Sequence, residues 1–370
     1  MHIPHNLTFI RLSGVALILL TLAAFNLVLR TADATDSKSA YAAVAPADCN
    51  LEFGHLIQYD NGEQTSVAVN ASGLVLEFHK SQNNAGIWYH FGKVEGASVT
   101  WGRSQHAGAD GYWPAVAISK EGYVIAVNSN KRQKSGADLY YQVGKIDPNG
   151  DQNQSITWLT GFIHWDRGFH ASIAMNDNGV IVGVHETHGS SDSVYYRVGH
   201  LRNPAGGDYT VDWDSGSWGM EYESGWNPRI AINNHNQIVE VHRVPGETLL
   251  HYRRGTVSGG IITFGDSRRY ENYATDPSVA LLDSGLVLEV HNDYSTGLVS
   301  KTGSLSLSNG HDIEWPASKL IDGHTFIYSP AVATNGVYAI ETHGVDVDNS
   351  LSLRSSVARV CTGRTQSNLG

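Results

Sequence analysis

Beyond residue 60 the chain alternates apolar and polar positions with a period of two, as strands do when they bury one face. The alternating runs come in pairs, and one paired phrase recurs six times. It reads SVAVNASGLVLEFH at 66–79, AVAISKEGYVIAVN at 115–128, SIAMNDNGVIVGVH at 172–185, RIAINNHNQIVEVH at 229–242, SVALLDSGLVLEVH at 278–291 and AVATNGVYAIETH at 331–343. In each phrase two apolar runs flank a turn of Asn, Asp, Ser or Gly, which predicts a β-hairpin. The starts lie 49, 57, 57, 49 and 53 residues apart, a spacing that suits propeller blades rather than a helical solenoid.

Two more strands follow each hairpin. The third is aromatic (Trp88-Tyr89, Tyr140-Tyr141, Tyr195-Tyr196, His251-Tyr252) and usually ends in Gly: Gly92, Gly144, Gly199, Gly255, Gly303. The fourth ends at Trp101, Trp158, Trp213, Phe264 and Trp315. Four antiparallel strands make a propeller blade, so the pattern predicts an all-β, six-bladed β-propeller over 49–362. The first three strands occur six times and the fourth only five times after residue 66. The missing fourth strand is NLEFG at 50–54, so the N-terminal strand is expected to complete the last blade.

Composition adds where the chain resides. An apolar run from Val15 to Leu29 follows Arg11, and Ala32-Asp33-Ala34 is a small-x-small cleavage candidate. Residues 1–34 read as a signal peptide or as an uncleaved anchor; either places the rest outside the cytoplasm, and a membrane is a partner only if the segment is retained. A linker at 35–48 and a tail at 363–370 flank the repeats. In an exported chain the two cysteines, Cys49 and Cys361, are expected to form a disulfide, since they fall on neighbouring strands of the composite blade. The net charge of −11 leaves no basic footprint for nucleic acid.

Candidate chemistry is sparse. A Glu-x-His pair closes the second strand in four repeats: Glu77/His79, Glu240/His242, Glu289/His291 and Glu341/His343. The third repeat keeps His185 after Gly183, and the second has Ala126 and Asn128. Residues i and i+2 share a strand face. These pairs read first as buried staples between blades, with ligand contact, metal binding or acid–base catalysis as alternatives. The connections after the fourth strand carry aromatics on one face of the ring, among them Trp113, Trp165, Trp218, Trp226, Tyr273 and Tyr328. Aromatic faces beside polar loops suit sugars. Helix-borne metal motifs, nucleophile elbows, phosphate loops and the Ser-x-Asp-x-Gly-x-Thr-Trp box of sialidase propellers are all missing. No cofactor and no resident metal is expected.

The repeats SVAxNxxGxVxEVH, xYYxVG and IxW, covering residues 50–361, resemble those of secreted microbial β-propeller proteins. In architecture the chain also resembles six-bladed lectins of the fungal fucose-binding and tectonin types. Their sugar-contact motifs are not recognisable here, so the resemblance implies a fold and no site residue. The expectation is a multivalent, lectin-like binder of a glycan or surface polymer. Its alternatives are a polysaccharide-degrading enzyme (lyase or hydrolase) using the same face, and a protein-interaction scaffold.

Overall fold

The computed structural model describes residues 51–202, 210–214, 216, 218–305, 312–324, 326–348 and 350–360. The targeting segment, the linker, Cys49, Cys361 and the tail lie outside the described residues. The described strands form six antiparallel sheets. The first shows how each is made. Glu63–Val69 and Leu74–Lys80 are the hairpin of the repeated phrase, followed by Gly86–Glu95 and Ser98–Trp101. Its turn is set by Asn70, whose side-chain oxygen accepts the N–H of Ser72 and of Leu74, both at 3.0 Å, while Gly73 takes a φ of +78°. Asn176 and Asn233 repeat this arrangement in the third and fourth sheets.

Four strands per blade needs a correction. Five of the six sheets carry a fifth strand, which pairs with the third strand beyond the fourth. In the first sheet it is Gln105–Asp110, and the others are Ile163–Arg167, Met220–Ser224, Arg268–Asn272 and Lys319–Asp322. The outer edge is one broken strand: the ladder is bridged at the break by single bonds such as Gly102 N–H to the Phe91 carbonyl, 2.8 Å. Much of what reads as loop in the sequence is therefore sheet. The sixth sheet takes Ile57–Asn61 as its outer strand, paired to Ser350–Arg359, with Phe53 bridged to Ala358. The start of the described chain thus pairs with its end.

Innermost strands lie beside one another in chain order, and the sixth returns to the first. They enclose a narrow axial cavity of about 170 Å³ lined by small and apolar residues such as Ala115, Ala171 and Ala231, with Arg229 the charged exception. The sheets pack face to face on apolar side chains, Leu76, Phe91 and Val124 among those fully buried. Two repeated residue types depend on each other here. A Cβ on Gly92 would sit 2.8 Å from the Trp101 ring, and Gly144, Gly199 and Gly303 face Trp158, Trp213 and Trp315 in the same way. Each strand-ending Gly makes room for the indole of the strand beside it. The chain is an all-β propeller.

Candidate functional site

Every innermost strand slips register once, at the same place. The slips fall between Glu63/Ser66, Tyr112/Ala115, Phe169/Ser172, Trp226/Arg229, Thr275/Ser278 and Tyr328/Ala331. In each slip one non-glycine residue is left-handed: Gln64, Trp113, His170, Asn227, Asp276 and Ser329, with φ between 45° and 61°. Pro114, Pro228, Pro277 and Pro330 follow four of them and cannot donate to the ladder. A left-handed non-glycine residue costs on the order of 1–3 kcal/mol, and such strain gathers at functional sites.

These six residues ring one end of the axial cavity. Gln64 Oε1 accepts the Trp113 N–H at 2.7 Å, and the rings of Trp113 and His170 meet edge-on at 4.0 Å. His170 Nδ1 lies 2.6 Å from Glu186 Oε1, which also accepts the Asn227 N–H at 2.8 Å. Asn227 Nδ2 donates to Asp276 Oδ1 at 2.6 Å. On the other side Thr65 donates to the Ser329 carbonyl at 2.7 Å. A surface pocket of about 320 Å³ opens beside this row, lined by Lys134, His170, Glu186, Asp192, Trp226, Asn227 and Arg243. Lys134 Nζ stands 3.6 Å from Glu186 and 3.4 Å from Asp192, and Trp226 Nε1 donates to Asp192 at 2.8 Å.

The two carboxyl groups tied by Asn227 are shifted in opposite directions. Burial raises Asp276 above the ordinary carboxylate range, only partly offset by His170, Arg229 and Arg243. Burial also works against ionised Glu186, but His170, the Asn227 N–H and Lys134 outweigh it and hold Glu186 below that range. The surroundings thus favour the protonated form more at Asp276 than at Glu186. The Nε1 of Trp113 and the Nε2 of His170 are buried without a hydrogen-bond partner.

Of the aromatics singled out in the sequence, three touch this end. Trp113 is one of the six left-handed residues, Trp226 lines the pocket with the Arg243 guanidinium 5.4 Å over its ring, and Tyr328 adjoins Ser329. Trp218 is half exposed farther out, under Arg167, and Tyr273 is largely exposed. Trp165 is a correction: it is 1 % exposed, packs on Trp213 at 5.4 Å, and fills the room left by Gly183, so no ligand can stack on it. The sequence reading passed over Gln64, His170, Glu186, Asn227, Arg229, Asp276 and Ser329. For Gln64, His170, Asn227, Asp276 and Ser329 the signal is a column two residues upstream of each repeated phrase, constant in place and different in chemistry; Arg229 opens a phrase and Glu186 follows one.

The Glu-x-His residues lie elsewhere, buried between sheets. The Nδ1 atoms of His79, His242, His291 and His343 face Glu77, Glu240, Glu289 and Glu341 at 2.8–3.1 Å. The Nε2 atoms of His185 and His343 reach across to Asp166 (3.3 Å) and Asp322 (3.1 Å) on the outer strand of the preceding sheet.

No protein-family model and no curated protein matches the sequence. Among solved structures, a Dyadobacter fermentans protein of unknown function is similar over 84% of this chain and 99% of its own, with a TM-score of 0.59 at 10% identity. The Penicillium chrysogenum α-L-arabinanase complexed with arabinobiose is similar over 83% of this chain and 98% of its own, with a TM-score of 0.55 at 13% identity. The Trypanosoma rangeli sialidase in complex with sialic acid gives a TM-score of 0.52 at 12% identity over 85% of this chain, which spans 59% of that enzyme. At these identities what is shared is the fold, and this chain takes its place among β-propellers of sialidase-like and arabinanase-like architecture.

Proposed function

We propose that the protein is an extracellular enzyme that cleaves glycosidic bonds in a polysaccharide at the mouth of the axial cavity, and that its six sheets are the six blades of one closed ring. The observation that carries this reading is the pair of carboxyl groups joined through Asn227, with their pKa values shifted apart, Asp276 upward and Glu186 downward. Most glycoside hydrolases use one carboxylic acid to protonate the leaving oxygen and one carboxylate to assist attack on the anomeric carbon. Asp276 takes the first role and Glu186 the second. Trp113, Trp226 and Tyr328 supply aromatic faces for sugar rings, and Arg229 and Lys134 supply donors for their oxygens. Residues 1–34, read from the sequence as a signal peptide or an uncleaved anchor, would agree with a polymer met outside the cell.

A multivalent lectin would repeat one chemistry around the ring. Here the matching column holds six different residues, and its one carboxyl group, Asp276, is joined through Asn227 to Glu186 on a neighbouring strand. Two of the similar structures are named as glycan-cleaving enzymes, which agrees with the enzymatic reading.

The test is reducing-end release from a panel of arabinans, sialoglycans and other polysaccharides. Asp276→Asn and Glu186→Gln should each lower kcat by about 10²–10⁴-fold, with melting temperatures close to the parent. The pH profile should be bell-shaped. Activity falls as pH drops through the lowered Glu186 pKa, and falls again as pH rises through the raised Asp276 pKa. Binding without cleavage on every polymer, unaffected by either substitution, would return the chain to the lectins.

A further inference from the structure

The seam where the chain's beginning meets its end carries a second cluster, unrelated to the axial mouth. Asp60 stands on Ile57–Asn61, the outer strand of the sixth sheet; His79 and His90 stand on Leu74–Lys80 and Gly86–Glu95 of the first. Asp60 Oδ2 lies 2.7 Å from His90 Nε2 and 3.6 Å from His79 Nε2, and the three ligand atoms fall within 4.8 Å of one another. Both imidazoles are buried, and Asp60 is partly open to solvent.

What sets the cluster apart is the far side of each ring. His90 Nδ1 faces the Gly102 carbonyl at 3.0 Å, an atom that can only accept, so this nitrogen carries a hydrogen. His79 Nδ1 faces the Glu77 carboxylate at 3.1 Å and is held the same way. Both Nε2 atoms are thereby turned toward Asp60; His90 donates its Nε2 hydrogen to that carboxylate in the metal-free protein, and a metal ion would take the hydrogen's place. Ligating histidines are oriented in this fashion, with the other ring N–H given to a carboxylate or a backbone carbonyl. Neighbouring sheets differ at one residue. The positions matching His90, each opposite the residue two before the strand-ending His, are Arg197, Arg253 and Lys301 in the third to fifth sheets. There a fixed cation meets the outer-strand acid: Arg253 contacts Glu223, and Lys301 lies 2.9 Å from Glu271. In the sixth sheet Arg354 reaches Asp322 at 3.0 Å. The first sheet alone has a second imidazole in that place.

We propose that Asp60, His79 and His90 bind a divalent first-row metal ion of the Zn²⁺ class, with water completing the shell, and that the ion clamps the ring closure. Two nitrogens and one carboxylate oxygen are a donor set that Zn²⁺ accepts at about 2.0–2.2 Å. Reaching it asks that Asp60 withdraw from His90, that the three ligand atoms draw in around one point, and that His90 give up its Nε2 hydrogen. The ion takes the place that a guanidinium or ammonium group fills in the third to fifth sheets, and it joins the last sheet to the first.

The test uses the full chain, stripped with chelator and with its cysteines alkylated so that thiolates cannot compete. Zn²⁺ in excess should raise the melting temperature by about 2–5 °C. Co²⁺ should give visible d–d bands of tetrahedral intensity at one equivalent per chain. His90→Arg installs the cation used in the other sheets, so it should keep the fold while weakening metal binding at least about 100-fold. Asp60→Asn is the second variant, on a partly exposed side chain, and should lose the bands as well. An unshifted melting curve and no bands in the parent would overturn the proposal and leave His90 as a protonated stand-in for Arg. So would bands of equal intensity in both variants.

Discussion

Trp165 and Trp226 stand at similar places in the sequence, each in a connection after a fourth strand, yet they differ in every physical respect. Trp165 has a fully buried ring against Gly183 and Trp213, while Trp226 keeps one face at a pocket and its Nε1 on Asp192. Replacing Trp165 by Ala empties a close-packed site and should cost about 3–5 kcal/mol of folding stability. Trp226→Ala should leave the urea midpoint close to the parent and weaken a glycan ligand by about 1–3 kcal/mol. Equal loss of stability in both would make Trp226 a packing residue and remove an aromatic wall from the proposed site. Gly183 is the cue that could have separated them. The third repeat is one of two that lack the Glu and the one with no side chain there, so the missing volume has to be filled by something large.

At the scale of elements, the joint between sheets is built from linked substitutions. Where a Glu closes the second strand, a tyrosine on the preceding outer strand stands beside it in three cases: Tyr270 donates to Glu289 at 2.8 Å, and the Tyr59 and Tyr222 hydroxyls are pushed upward by burial and by Glu77 and Glu240. In the sixth sheet Ser356 takes that part, donating to Glu341 at 3.1 Å. His343 sits between Glu341 and Asp322. Burial alone would lower its pKa, but the two carboxylates raise it to about 9. The folded value lies above the unfolded one of about 6.5. The stabilisation is therefore complete below about pH 6.5 and is lost as pH rises through about 9. Melting temperature should fall between pH 7 and pH 10 in the parent. The fall should be smaller in His343→Asn, which has no proton to lose there. Parallel profiles would mean that His343 is neutral in the fold.

At the scale of the molecule, closure rests on the meeting of chain ends. Ile57–Asn61 pairs with Ser350–Arg359, and Tyr59 of that strand stacks on Trp101 of the first sheet at 4.5 Å. Leu51 and Val360 belong to one buried cluster. A Cys49–Cys361 bridge would extend this pairing and close a loop of about 310 residues, worth up to roughly 5–6 kcal/mol in the chain-entropy account. Ellman titration of the denatured, unreduced protein secreted by its host should find no free thiol. Two thiols per chain would show that strand pairing alone holds the ring.

The repeat was legible because a strand's side chains alternate by local geometry, and turns need particular residues. The six hairpins, the Gly and Trp positions, and the need for an N-terminal strand in the last sheet all follow from that. The outer-strand break was not legible. Residues such as Gln105–Asp110 lack alternation because only their edge is paired, so they read as loop. The axial site was the least visible part. Its members come from positions 64 to 329, none forms a motif, and each is polar beside an apolar strand. Only when sheets close around an axis do His170, Glu186, Asn227 and Asp276 meet. The opposite shifts of Glu186 and Asp276 are set by that meeting, since burial and neighbouring charge exist in three dimensions alone. The sequence by itself determined the strands and their order; the tertiary structure decided which polar residues face one another, because ring closure brings together residues that the chain keeps about fifty apart.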